Sequence, residues 1–229
     1  MAADPSPAAI RRDALGIAAY AGAFGASFGA VAISTGLTIA QTMVLSVVMF
    51  TGASQFAFVG VLGSGGAAMA AVPAALLLGV RNSFYGIPIS RILGERARRP
   101  LRRLVTAHFV IDETTAMAVG RTEVEAQRYA FWSTGIGLFT LWVIGSLLGA
   151  LGGSAIGDTD RLGLDAAVPA AFLALLWPRL GDRWARVVAV LGALVAMTLI
   201  PLAPAGVPVL AAAPVAVVAG LLPRRGPAA

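Results

Sequence analysis

Between Ala14 and Val80 the chain carries no Asp, Glu, Lys or Arg, a run of 67 consecutive uncharged residues. A helix that crosses a bilayer takes about 20 apolar residues. No soluble core of a chain this size needs so long a run. Within hydrocarbon every backbone N–H and C=O must be satisfied inside the protein, which leaves helices and closed barrels, and long apolar runs fit helices. The whole chain agrees: of 229 residues, 58% are hydrophobic and 12% charged, against about 25% charged in a soluble domain. The expected fold is all-α, a polytopic integral membrane protein of about seven (six to eight) helices, some broken or re-entrant, with a candidate inverted repeat. Residues 1–13 form a short polar N-terminus, 14–223 a single transmembrane domain, and 224–229 a short basic tail.

All 17 basic residues are Arg, and a net charge of +6 with a lone His and no Cys bounds the chemistry. Disulfides, thiolate metal sites and multi-His metal sites are excluded. The basic balance reflects Arg at cytoplasmic helix ends rather than nucleic-acid binding. Neither a P-loop nor His-Glu-x-x-His is present, so no nucleotide engine, cofactor or catalytic constellation is expected.

The apolar segments are Ala14–Thr35, Ile39–Leu62, Gly66–Ile92, Leu104–Gly120, Tyr129–Leu151, Ala166–Leu180, Val187–Ile200 and Val207–Leu222. Arg91, Arg96, Arg98, Arg99, Arg102 and Arg103, opposed only by Glu95, place the 92–103 loop in the cytoplasm. Asp158, Asp160 and Asp165 outnumber Arg161 and suit the outside. Arg179, Arg183 and Arg186 suit the inside, as do Arg224 and Arg225 at the C-terminus. The first half leaves two topologies open. Three full crossings put the N-terminus outside; an N-terminus held inside by Arg11 and Arg12 requires a broken or re-entrant early segment. Leu104–Gly120 is short and polar enough to dip in and return. Gly36-Leu37-Thr38 and Gly163-Leu164-Asp165 each follow a Gly-rich span. As an inverted repeat they would make Ala14–Thr35 run opposite to Tyr129–Leu151, which favours the first topology. Gly16, Gly22, Gly25 and Gly29 recur at helical spacing and suit close helix packing.

Three polar features interrupt the apolar surroundings. Thr51-Gly52-Ala53-Ser54-Gln55-Phe56 places hydroxyls and an amide at membrane depth. It reads either as interhelical hydrogen bonding or as an unwound ligand site. Arg81 lies fifteen residues after Gly66, where a cation must face protein or water. It reads either as the partner of Asp112 or Glu113, or as the anchor of a ligand carboxylate. His108 and Asp112 are four apart, on one face of a helix, and with Glu113 suggest a proton relay. Asp112, Glu113 and the Thr114-Thr115 pair are equally a helix start. A transported amphipathic carboxylate would meet Arg81 at one end, Ser54, Gln55 and carbonyls at the other, and Phe56, Phe84 or Trp142 around its apolar part. A channel, a structural subunit, or a carrier of another small carboxylate are the alternatives.

At these features the sequence resembles the AzlC family of branched-chain amino acid permeases, from about Asp13 to Pro178. The blocks are Gly36-Leu37-Thr38 with Phe50-Thr51-Gly52-Ala53-Ser54-Gln55-Phe56, then Arg81 with Tyr85-Gly86, then Asp112-Glu113, and Gly163-Leu164-Asp165 with Pro169 and Phe172. Gly79 and Asn82 depart from the Asn-x-Arg-His form of the second block, and Ile111 from the third. The resemblance implies export of valine, leucine, isoleucine and sometimes methionine across the bacterial plasma membrane. It also implies a small hydrophobic partner subunit of the AzlD type. The expected substrate-binding residues are Arg81, Ser54, Gln55, Gly52 and Tyr85, and the expected proton-coupling residues are Asp112, Glu113 and His108.

Overall fold

A computed structural model describes residues 6–94, 99–156, 173, 176–204 and 206–221. The expectations for Glu95, Arg96, Arg98, Asp158, Asp160, Arg161, the Gly163-Leu164-Asp165 block, Pro169, Phe172, Arg224 and Arg225 lie outside the described residues. The described residues are helical, as expected of a polytopic membrane protein. Pro7–Ser34, Ala68–Leu93 and Val124–Ala155 are long and apolar enough to cross a membrane.

Helix α1 (Pro7–Ser34) opens on Ser6, whose hydroxyl accepts from the Ala9 N–H. Proline at the first position lacks only an N–H that would be unpaired there. The helix thus takes in much of the segment read as a polar N-terminus. Its long neighbour is Val124–Ile156, the eighth helix in chain order (α8). The two run side by side in the same direction. Asp13 pairs with Arg121 at 3.6 Å at one end. Further along, Gly22 meets Leu141, Gly25 meets Trp142, Gly29 meets Ser146, and Gly153 meets Ala30. Gly145 and Gly149 bear directly on the backbones of Gly22 and Ala26, where no Cβ would fit. Small residues on both sides bring the backbones together, the usual device in lipid, where apolar side chains gain nothing by leaving the solvent. The glycines are therefore packing residues. The inverted relation between these two segments is overturned, because both advance along one direction.

The second apolar segment breaks into α2 (Ile39–Val48) and α3 (Gly52–Gly63). At about 1.5 Å per residue each rises only about half the ~30 Å of hydrocarbon. Thr38 caps α2 through a reciprocal capping box with Gln41. The chain then descends to Phe50 beside Phe139, midway along α8. It returns alongside α1, with Phe56 against Phe28 and Gly63 against Thr35. This is a re-entrant hairpin, the kind of broken early segment that the second of the two open topologies requires.

Helices α4 (Ala68–Gly79) and α5 (Arg81–Leu93) follow nearly in line, with a turn at Val80. They cross in the opposite sense to α8, for Ile92 O accepts from Arg128 Nε at 2.9 Å near the start of α8. Helices α6 (Pro100–His108) and α7 (Asp112–Val119) form a second re-entrant hairpin. Its tip, Phe109 to Ile111, reaches Phe139 and Trp132, and Arg121 returns it to Asp13. Leu104–Gly120 thus dips and returns as expected. The inverted relation lies between α1 with its hairpin and α4–α5 with theirs, entering from opposite faces.

A 3₁₀ turn (Trp177–Gly181) leads to α9 (Arg183–Leu199) and α10 (Val207–Leu221). Gly206 packs on Val61 and Ala70, which puts the α9–α10 loop with the 35–38 and 64–67 loops on one face, and none of these loops carries a charge among the described residues. The opposite face collects Arg11, Arg12, Arg91, Arg99, Arg102, Arg103, Arg128, Arg183 and Arg186 at helix ends.

Candidate functional site

The break between α2 and α3 leaves the N-terminus of α3 at membrane depth. Thr51, its N-cap, makes no side-chain capping bond, so the first N–H groups of α3 present their positive end unopposed. The C-terminal carbonyls of α2 come to the same tip with the opposite sign. A cavity of about 340 Å³ opens here, lined by Met49, Thr51, Ser54, Val72, Ala75, Leu76, Gly79, Val80 and Ser83. Its polar lining is three hydroxyls, and the rest is aliphatic or thioether. Ser54 Oγ is buried and has no hydrogen-bond partner among the described residues. A buried polar atom left unpaired in this way is costly, and a ligand acceptor or donor would relieve it. At Gly79 an added Cβ would stand 3.3 Å from that hydroxyl.

Of the expected binding residues, only Ser54 lines the cavity. Gly52 lies under the Trp142 ring. Gln55, three residues on and so on the same face, is 0% exposed, and neither amide atom has a partner among the described residues. Tyr85 packs with Ile89, Phe131 and their neighbours. Arg81 is adjacent in sequence to cavity-lining Val80, and its guanidinium bonds Asp112 at 3.0 Å. This pair ties the start of α5 to the start of α7, and Arg81 Nε and Asn82 Oδ1 are buried nearby without partners among the described residues. Glu113 is exposed.

His108 and Asp112 do not share a helix face: His108 ends α6 and Asp112 begins α7, with the Phe109–Ile111 break between them. The start signature won, since Asp112 and Glu113 oppose the dipole of α7 and Thr114 Oγ1 accepts from the Ile111 N–H. The expected aromatic lining is also corrected. Phe56 and Trp142 belong to the α1–α3–α8 core and Phe84 is 66% exposed. The true lining was readable as a face of α4–α5: Ala75, Gly79 and Ser83 recur every four residues as small side chains, flanked by Val72 and Leu76. Gly25-Ala26-Ser27-Phe28-Gly29 matches a hydrolase nucleophile elbow in letters, but it lies inside α1, where helix and not strand leads into it.

The family described as AzlC protein matches residues 16–156, from α1 through α8. An uncharacterized membrane protein of Archaeoglobus fulgidus is 32% identical over 75% of this chain and 74% of its own length. The inner membrane protein YgaZ of Escherichia coli is 25% identical over 86% and 78%. An uncharacterized membrane protein of Helicobacter pylori is 26% identical over 66% and 65%. No solved structure matches. Both hairpins, the cavity and the Arg81–Asp112 pair fall inside the matched span, and the chain belongs to the AzlC family of membrane proteins.

Proposed function

We propose that the chain is the large subunit of a secondary transporter that exports branched-chain amino acids across the plasma membrane, working with a small hydrophobic partner of the AzlD type. The observation that carries the reading is the cavity at the α2–α3 break. A zwitterion with an aliphatic side chain needs a positive site, a negative site and an apolar wall close together. The α3 N-terminus with Thr51 and Ser54 offers the first, the α2 carbonyl end the second, and Val72, Ala75, Leu76 and Met49 the third. Leucine, isoleucine, valine and methionine share these needs.

Arg81 and Asp112 provide the coupling. In the structure Asp112 holds the guanidinium. Protonation of Asp112 frees Arg81 for the substrate carboxylate, which its planar fork grips at two points. The basic face is cytoplasmic by the positive-inside tendency, so the 92–103 loop and the C-terminus are inside. A Cys replacing Arg99 should react with impermeant thiol reagents only in inverted vesicles, and one replacing Ser64 only in right-side-out vesicles; the reverse pattern inverts the orientation.

Counterflow in proteoliposomes tests the function. Unlabelled leucine on the far side should accelerate uptake of labelled leucine several-fold. Substantial leucine flux without acceleration would mean a pore, and no flux of any branched-chain amino acid would sink the substrate assignment.

A further inference from the structure

The hairpin tips carry a strained residue and a knot of rings outside the ligand cavity. Phe50 is the only non-glycine residue with positive φ among the described residues, at 30°. For a bulky side chain that region is an outlier, and it persists only where the surroundings enforce it. The surroundings here are aromatic. His108 stacks on Phe50 at 5.5 Å between ring centroids, and Phe139 and Phe109 meet it edge-on at 5.0 and 5.9 Å. His108 lies 5.6 Å from both Phe109 and Phe139, which are 5.7 Å from each other.

These rings come from different parts of the fold. Phe50 is the tip of one hairpin, His108 and Phe109 are the tip of the other, and Phe139 is the middle of α8. Each hairpin spans only half the membrane depth and enters from the opposite face. Between their tips the two halves are joined by side chains, and Phe50, at 2% exposure, is wholly enclosed there.

We infer that Phe50, His108, Phe109 and Phe139 form the permeability barrier of this protein, and that transport requires the Phe50 tip to lift off His108 and Phe139. The inference rests on the carrier reading for its second half. His108 is then a wall ring of the barrier, not a relay partner of Asp112. The strain at Phe50 makes the closed tip a loaded conformation, one that edge-to-face and stacked ring contacts hold in place. Release of a few rings is within reach of a ligand that binds at Thr51, the next residue.

The chain has no cysteine, so a Phe50→Cys, Phe139→Cys pair can be bridged by a short bis-methanethiosulfonate, each thiol displacing methanesulfinate to form a disulfide that a reductant cleaves. Leucine counterflow by the bridged protein should fall at least tenfold below that of the same double variant left unbridged, and recover on reduction. Undiminished counterflow in the bridged protein would overturn the required movement. The barrier is tested without reference to substrate. Phe50→Gly suits the positive φ and removes the ring; combined with His108→Ala it should make proteoliposomes lose an imposed pH gradient several-fold faster than wild type. Phe50→Gly alone should show a smaller leak in the same direction should the double variant not fold. A gradient held as in wild type would overturn the barrier. A wild type that moves no branched-chain amino acid would fail the substrate reading, and the gradient measurement would still decide the barrier.

Discussion

The α1–α8 seam and the paired hairpin tips are built from the same alphabet of small and apolar residues, and they behave in opposite ways. Along the seam, two unbroken helices lie backbone on backbone, with Gly22, Gly25 and Gly29 facing Leu141, Trp142 and Ser146. Nothing there can shift without separating both helices. At the tips, helices stop in mid-membrane, a cavity opens, Phe50 is strained, and Ser54 and Gln55 hold buried polar atoms without partners among the described residues. On the proposed carrier reading the difference assigns the parts: α1 and α8 form the frame, and the hairpins with the α4–α5 junction form the working element. In lipid, a helix break survives only where protein or a cavity covers it.

The comparison breaks first at its rigid half. Gly149→Leu would drive a side chain into Ala26, and no folded protein should be recovered in mild detergent; Gly152→Leu, three residues on with open space beside it, should be recovered at wild-type level. Similar recovery of both would remove the seam as the frame.

At the working half, Arg81→Ala should lower transport on the order of a hundredfold, the scale of one charged hydrogen bond at about 1.5–3 kcal/mol, with protein still present in the membrane. Arg81→Lys should lose most of the transport as well. A purely structural ion pair makes a different forecast: adding Asp112→Asn and Glu113→Gln to Arg81→Ala would restore substrate binding. Binding measured in detergent separates the two.

Asp112→Asn with Glu113→Gln in wild-type background should abolish pH-gradient-driven flux and leave part of the exchange. Gradient-driven flux equal to wild type in the folded variant would remove the carboxylates from coupling.

The smallest effect sharpens the cavity itself. Gly79→Ala places a methyl group 3.3 Å from Ser54 Oγ and should weaken leucine binding about fivefold, near 1 kcal/mol, within the range for one methylene in an apolar pocket. It should leave valine less affected. Equal losses for both would show that Gly79 does not border the side-chain end.

Much of the working element was legible in the chain. The Thr51–Phe56 stretch announced a break because Gly and hydroxyl residues are poor helix interior in an apolar run, and Asp112-Glu113-Thr114 announced a start because acids favour a helix N-terminus. The breaks lie where those signals stand, with the first shifted to Phe50-Thr51. The pairing of His108 with Asp112 failed for the same reason: a four-residue spacing implies a shared face only if the helix continues between them. The aromatic lining failed because hydrophobicity cannot tell a residue facing a cavity from one facing a neighbouring helix.

The long uncharged run alone determined that this chain lives in a membrane as helices, since the energetics of unpaired backbone in hydrocarbon admit little else. The clustering of Arg at segment ends determined that one face is basic. Only the tertiary structure decided that α1 and α8 run in the same direction and that two segments turn back half-way. A half-depth hairpin and a full crossing have similar composition; what separates them is which helix their ends meet, Gly63 with Thr35 at one face and Ile92 with Arg128 at the other. The partner of Arg81 was likewise a matter of distance, 3.0 Å to Asp112, between residues that charge count could name only as alternatives.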